Sequence, residues 1–338
     1  MTTTAALEVA HLTCTVDNSG HAFAVVRDVS LVLYPGEMLG LVGESGSGKS
    51  MLSLAILGLL PAPQSRIAAG SIYFAGHDLA AASEAQLQQV RGHHIAMVFQ
   101  DPMTSLNPLL SIGRQLTEVW EAHQPHRAQE ARARAIAVLQ EVGIERAAER
   151  LADYPHRFSG GMRQRVMIAM ALLCTPAVLI ADEPTTALDV TVQAQILDLL
   201  VRLQAQHKTA VMLISHDLAV VASRAQRIAV MYAGRIVECG TANAVYTQPQ
   251  HPYTAALLAC SPRLDSPGRT RLVPIPGQPA HSAALPSGCA FRPRCGRAQA
   301  ICADIDPPLV ALHNAVHQAP GAPHAIACHN PQPLPAAS

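Results

Sequence analysis

The chain of 338 residues has little charge, very little lysine and few aromatic side chains, and each shortage narrows what it can be. Charged residues make up 14%, and the 24 basic and 24 acidic side chains cancel, so no bulk field favours nucleic acid as a partner. Lysine occurs only as Lys49 and Lys208, so a lysine inside a chemical motif is not explained by abundance. The longest nearly apolar stretch, residues 166–181, is interrupted by Thr175 and Pro176 and falls short of a membrane span. Met1 to Thr4 lack the basic patch and apolar segment of a secretion signal. A reducing cytoplasm is therefore the expected setting for the eight cysteines, and disulfides are not expected. The Asn-Lys-x-Asp motif with which GTPases read their base is missing too.

What is present begins with Gly43-Glu44-Ser45-Gly46-Ser47-Gly48-Lys49-Ser50, between the apolar runs Met38 to Val42 and Met51 to Leu60. Strand, glycine loop and helix follow one another, which is the context a phosphate-binding loop requires and a chance glycine-rich turn lacks. The glycines let backbone N–H groups turn inward around a phosphate, the helix N-terminus adds its dipole, and Lys49 and Ser50 suit phosphate and magnesium.

Short strand-like runs over residues 7–33 and 71–74, with Asp17 to Gly20 as a turn, predict a small β-rich lobe. Residues 126–152 place Ile136, Leu139 and Val142 at helical spacing and predict helices. Helix near 164–174, strand at 177–181, helix at 192–206 and strand at 210–214 then alternate, which is an α/β pattern. Beyond Tyr246 the sequence turns Pro- and His-rich, so a boundary is expected near residue 255. The remainder carries Cys289, Cys295, Cys302 and Cys328 and little that would form a large core.

Val178-Leu179-Ile180-Ala181-Asp182-Glu183 is an apolar strand ending in two carboxylates. Asp182 suits magnesium, and Glu183 suits orienting or deprotonating an attacking water. Phe158-Ser159-Gly160-Gly161-Met162-Arg163-Gln164-Arg165 opens a second helix with a turn that offers backbone N–H groups to an anion. Two anion-binding helix starts are redundant for one nucleotide.

In this order the motifs, over roughly residues 7–250, resemble the nucleotide-binding subunit of ABC transporters. The resemblance implies an α/β P-loop domain over residues 1–255, with a mixed central sheet, an antiparallel β lobe and a helical subdomain over about 100–160. A small irregular Cys-containing extension over 256–338 would follow. It also implies a second ATPase subunit, identical or paralogous, in a head-to-tail dimer. Ser159, Gly160, Gly161 and Asp189 (from Ala187-Leu188-Asp189) would then act on the partner's ATP. By the same resemblance Ser50, Asp182 and Gln100 hold Mg²⁺, Glu183 activates water, and His216 contacts the γ-phosphate. Phe23, with His21 as the alternative, is the candidate to stack on adenine, and either could instead pack in the β lobe. Met162 stands where many relatives have glutamine, leaving Ser159 and Gly161 unchanged.

Gln100 to Pro108, Tyr154-Pro155-His156, His251-Pro252-Tyr253-Thr254, Ile275-Pro276-Gly277 and Gly288 to Cys295 resemble the dipeptide and oligopeptide importer branch of that family. The implied protein is a peripheral ATPase at the cytoplasmic face of the membrane that powers peptide uptake. Its implied partners are two permease subunits and, indirectly, an extracytoplasmic peptide-binding protein. Nickel or another small solute is the alternative cargo. A soluble ABC ATPase of DNA repair or translation usually has a coiled-coil insertion or two nucleotide domains in one chain, and neither is seen here. An ATPase with a metal- or redox-sensing tail is a third reading.

The gaps between Cys289, Cys295, Cys302 and Cys328 are five, six and twenty-five residues, without the C-x-x-C pairs of common zinc sites. Four thiolates can hold zinc or an iron–sulfur cluster, or can remain reduced and unligated. The resemblance favours [4Fe–4S] over zinc, because relatives of the importer branch carry that cluster in this segment. His313, His317, His324 and His329 are alternative ligands, while Cys14, Cys174 and Cys239 read as packing residues.

Overall fold

A computed structural model of the protein describes residues 4–18, 20–186, 188–260, 274–312 and 323–332. Its strands are β1 (Leu7–Asn18), β2 (His21–Leu33), β3 (Met38–Val42), β4 (Ser65–Phe74), β5 (His77–Asp78), β6 (Ile95–Val98), β7 (Val178–Asp182), β8 (Ala210–Ser215), β9 (Arg227–Tyr232), β10 (Arg235–Thr241), β11 (Val310–Ala311) and β12 (Ala325–Ile326). The chain folds into two compact units. One comprises the described residues within 4–7, 33–38 and 81–214, the other those within 8–32, 39–80 and 215–332. Among the described residues no helix is long and apolar enough to cross a membrane.

In the first unit β6, β7 and β8 run parallel, Val178 facing Ile95 on one side and Ala210 on the other. All five residues of β7 are buried, the mark of a strand covered on both faces, and this accounts for the uninterrupted apolar sequence before Asp182. Helices here begin at side-chain caps, the helix Glu84–Val90 at Ser83 among them. Ser111, Ser159 and Asp189 accept the N–H of Arg114, Met162 and Val192 respectively. The Ser159 cap moves the helix start to Gly160, so the helix expected from about residue 164 spans Gly160–Leu172. The helical stretch expected over 126–152 is broken into a 3₁₀ segment Pro125–Glu130, a helix Ala131–Glu141 and a single turn Ala147–Arg150. Gly143, at φ +80°, follows the middle helix as its stop.

The second unit holds an antiparallel lobe in the order β2-β1-β4-β5 and a mixed run in the order β11-β12-β10-β9-β3. Buried and open positions alternate in much of β1, as expected for a strand with one face on the core. β3 lies parallel to β9, Leu39 to Val42 matching Arg227 to Val230, and β9 returns into β10 through a turn at Ala233 and Gly234 with φ of +48° and +82°. The C-terminal extension belongs to this unit, since β12 pairs antiparallel with β10 and β11 with β12. The helix Pro252–Cys260 runs through residue 255.

Glu238 on β10 ties the extension down. Its carboxylate is fully buried and accepts from Gln250 N at 2.7 Å, His251 N at 2.9 Å and His324 Nε2 at 2.7 Å. A buried carboxylate persists only when its oxygens are satisfied, and here two backbone donors and an imidazole do so. Replacing Glu238 by Ala leaves those donors without their acceptor, with an expected loss on the order of 3 kcal/mol in urea unfolding.

His251, 2% exposed, accepts the Tyr253 N–H on Nδ1 at 3.0 Å, which requires a neutral ring. Burial pushes its pKa down to about 4, against the opposing attraction of Glu238. The unfolded chain takes up a proton near pH 6.5 and the folded one does not, so this group's contribution to stability is complete above pH 6.5 and is lost as pH falls toward 4. A His251→Gln variant should therefore show a shallower fall in unfolding midpoint between pH 6.5 and 4 than the parent.

Candidate functional site

The phosphate-loop segment lies in the second unit. β3 is buried at every position and delivers the chain to Gly43, and the helix Lys49–Ile56 begins six residues beyond. Gly43 passes so close to the Met231 carbonyl oxygen on β9 that a side chain there would collide with it and also meet Ser47 Oγ at 2.8 Å. Gly48 has φ +104°, and a Cβ on it would lie 2.5 Å from the Val25 carbonyl oxygen. Backbone on two sides thus sets the curve of the loop, and Gly234 N donates to Ser47 O at 2.9 Å to hold it. Lys49, 4% exposed, turns its ammonium into the curve and donates to Gly43 O at 2.7 Å, Glu44 O at 2.9 Å and Ser47 Oγ at 3.4 Å. A buried ammonium inside a ring of loop amides is the arrangement that receives a polyphosphate. Phe23, half-buried on β2, has its ring 6.4 Å from that of His281, while His21 is exposed. His216, just past the end of β8, is exposed.

The carboxylates lie in the first unit. Asp182 is the last residue of β7 and is 4% exposed. Glu183 leaves the strand at φ +45°, a left-handed conformation unusual for glutamate, and its N–H donates to Ile214 O at 3.1 Å. Its Oε2 accepts from Gln100 Nε2 at 2.9 Å and from Thr186 Oγ1 at 2.9 Å. Gln100 and Glu183, 83 residues apart, are therefore brought together. The start of the helix Gly160–Leu172 packs against the segment around Asp189. A Cβ on Gly160 would touch Leu188 at 3.5 Å, and one on Gly161 would meet Val192 at 2.6 Å. Ser159, Gly160 and Asp189 are exposed, and Ala187 lies outside the described residues.

Cys289, Cys295, Cys302 and Cys328 line a single small cavity in the second unit, together with His329. Burial pushes the thiols of Cys289 and Cys295 up and that of Cys328 to about 11, and nearby cysteines add to each rise. Backbone N–H groups of Arg297 and Asn330 point at the sulfurs of Cys295 and Cys328, each at 3.4 Å. Among the described residues no group of three or more His, Cys, Asp or Glu is drawn tightly enough to hold a metal ion, so the cysteines converge without closing on a centre. His324 is not a member of the cavity, because its ring is committed to Glu238, and His329 Nε2 pairs with Ile305 O at 3.0 Å. His313 and His317 lie outside the described residues. Cys14 is buried in β1 as a packing residue, its thiol pushed up to about 11 by burial.

Three residues close to these groups have no site role assigned from the sequence, although Tyr253 and Arg294 fall within motifs of the importer branch. Thr186 sits one turn beyond Glu183, a spacing that could have identified it. Tyr253 and Arg294 both bond Glu44 of the phosphate loop from more than 200 residues away, a distance across which no local pattern could signal contact.

The ABC transporter family matches residues 26–186, and the C-terminal region of oligopeptide/dipeptide transporters matches residues 237–302. The oligopeptide transport ATP-binding protein OppD of Bacillus subtilis is 49% identical over 303 residues, covering 90% of this chain and 85% of that protein. The dipeptide transport ATP-binding protein DppD of the same organism is 48% identical over 301 residues, covering 89% and 90%. Among solved structures, a dimeric ATP-binding cassette bound to ADP and Pi in a post-hydrolysis state superposes with a TM-score of 0.60 at 25% identity, covering 70% of this chain and 98% of that one. A glycine loop closed around Lys49, a strand ending in Asp182 with Glu183 held by Gln100, and identity near one half along nine-tenths of its length together place this chain in the ABC transporter family, among its OppD- and DppD-like ATP-binding subunits.

Proposed function

We propose that the chain hydrolyses ATP to drive uptake of oligopeptides or dipeptides through a membrane permease. The observation that carries the reading is the bond from Gln100 to Glu183, which holds a carboxylate ready for a water beside the strand-end Asp182. The peptide cargo is inferred from the transport proteins OppD and DppD, to which most of the chain is similar. In this reading Lys49 and the amides from Gly43 to Ser50 hold the phosphates, Glu183 orients and deprotonates the attacking water, and His216 contacts the γ-phosphate. Ser50, Asp182 and Gln100 fit a magnesium ion as hard oxygen donors, and the ion when bound neutralises phosphate charge. Phe23 is the proposed adenine platform, its half-buried ring leaving one part open.

Ser159, Gly160, Gly161 and Asp189 are proposed to serve the ATP of a second ATPase subunit. Exposure of Ser159, Gly160 and Asp189 supports this, since groups that act on another molecule must be open to it. Two permease subunits at the cytoplasmic face of the membrane, and through them a peptide-binding protein, complete the proposed assembly. Within the chain, residues 1–255 form the proposed ATPase domain, with a helical subdomain over about 100–160, and residues 256–338 the proposed extension, supported by the change to Pro- and His-rich sequence.

Cys289, Cys295, Cys302 and Cys328 are proposed to hold a [4Fe–4S] cluster, with zinc as the alternative. Four sulfurs on one cavity with backbone N–H groups aimed at two of them fit such a centre in chemistry, and ligation would deprotonate thiols that burial otherwise keeps neutral.

Glu183→Gln should bind ATP and lower its hydrolysis by about a hundredfold or more, and cells relying on this variant should lose uptake of a labelled peptide. Turnover near the parental rate in a clean preparation would remove Glu183 from its role, and unchanged uptake in cells lacking the protein would remove the peptide cargo. After anaerobic purification, iron and acid-labile sulfide are each expected at about four per chain if the cluster is as proposed. Stoichiometric zinc without iron reverses that choice.

A further inference from the structure

The phosphate loop is gripped at its second residue from outside. Arg294, in the extension, donates from both terminal nitrogens to the two carboxylate oxygens of Glu44, at 2.6 and 3.0 Å. The Tyr253 hydroxyl accepts the Glu44 N–H at 2.8 Å, so this amide is directed at a phenol and not into the curve of the loop. Burial raises the Tyr253 phenol above its ordinary range and keeps it protonated. The guanidinium is fixed in turn. Its Nε donates to Pro276 O at 3.0 Å, and it lies 6.0 Å from the ring centres of both Tyr232 and Phe291. Those rings pack with Tyr253, at 4.6 Å for Tyr232 to Tyr253 and 5.3 Å for Tyr253 to Phe291, so arginine and tyrosine share one aromatic support.

The Arg294 side chain is 4% exposed and that of Glu44 is 23%. Taking a guanidinium and a carboxylate out of water costs much of what their attraction returns, so a pair of this kind is poorly explained as a source of fold stability. It does two other things well. The planar fork fixes the carboxylate in position, and its positive charge cancels a negative charge standing on a loop that must accept a polyanion. Without Arg294, the Glu44 carboxylate opposes the incoming phosphates. Arg294 also directly precedes Cys295, which lines the four-cysteine cavity.

We propose that Arg294 is a positioning residue for nucleotide binding. Acting through Glu44, it neutralises and orients the start of the phosphate loop, so the C-terminal extension sets the affinity of the ATP site. The proposal rests on the reading of Gly43 to Ser50 as the loop that holds ATP.

The test is titration of the full chain with a fluorescent ATP analogue and Mg²⁺, together with steady-state hydrolysis. Arg294→Ala should weaken nucleotide binding about tenfold, the size expected for one unscreened charge near the phosphates, while kcat at saturating ATP stays within about twofold. Adding Glu44→Gln to Arg294→Ala removes the opposing charge, and affinity should recover to within about threefold of the parent. Parental affinity in Arg294→Ala, or no recovery in the double variant, overturns the proposal, since a tie serving only to attach the extension predicts no rescue. If Arg294→Ala does not fold, Arg294→Lys decides. It keeps the charge but loses the fork, so binding should weaken a few-fold, and parental affinity again overturns the proposal. Lys49→Ala separates the two levels, because undiminished nucleotide binding in that variant defeats the reading of the loop itself.

Discussion

Much of the chemistry in the second unit depends on backbone approaching backbone with no side chain between. The Met231 carbonyl closes on Gly43, the Val25 carbonyl on Gly48, and Gly234 N–H bonds the Ser47 carbonyl. A loop ringed by carbonyl oxygens on its outer side keeps its shape before any phosphate arrives, so binding costs little ordering of the loop. The arrangement also explains why β9 and β10 must join in a tight turn at Ala233 and Gly234. That turn carries the amide that fixes Ser47 and lies where a Cβ on Gly234 would strike the Val25 carbonyl at 2.7 Å. Glycine spacing in the loop is thus a property of three neighbouring segments and not of the loop alone.

The first unit solves a different problem, that of presenting a carboxylate at the end of a buried strand without letting it collapse onto the protein. β7 is apolar because it is covered on both faces, and the chain must turn sharply where it meets water. The turn falls on Glu183, whose left-handed backbone costs on the order of 1 kcal/mol. The compensation is local: its N–H bonds Ile214 O, and Gln100 and Thr186 bond its side chain. Strain of this kind persists only where surrounding contacts determine it, and here the contacts orient the same oxygen that the proposed chemistry needs. Asp182, one residue earlier, remains in regular strand geometry and is almost fully buried. Adjacent carboxylates therefore differ in role because one belongs to the strand and the other to the turn.

How much of this was legible beforehand varies with the distance over which each feature is encoded. The phosphate loop, β7 and the strand and helix after it are written in runs of fewer than twenty residues, and the sequence located them within a few positions. Ser159 and Asp189 could have been read further, since both are caps by residue type and position, and recognising the Ser159 cap would have placed its helix start at Gly160. The broken helices over 125–150 needed Gly143 to be weighed as a stop. Contacts made by the extension were not legible. Arg294 and Glu44 are 250 residues apart, His324 and Glu238 are 86 apart, and no periodicity links them. The four cysteines were visible as a group, but the same sequence offered His324 as a ligand, and only its bond to Glu238 removes it.

Glu238 and Glu44 show two ways in which a tail with little core of its own can be made part of a larger unit. At Glu238 a fully buried carboxylate collects donors from Gln250, His251 and His324, so the strand edge and the extension share one polar centre. At Glu44 the carboxylate is partly open and belongs to the functional loop, and the extension supplies the cation. The first contact fixes where the extension lies, since losing it leaves buried donors unsatisfied. The second lies where a nucleotide would compete for the same electrostatic space. An extension held only by the first kind of contact would be a passive cover. The segment that lines the cysteine cavity also supplies Arg294, so one short stretch of the extension carries both a cavity cysteine, Cys295, and the cation paired with Glu44.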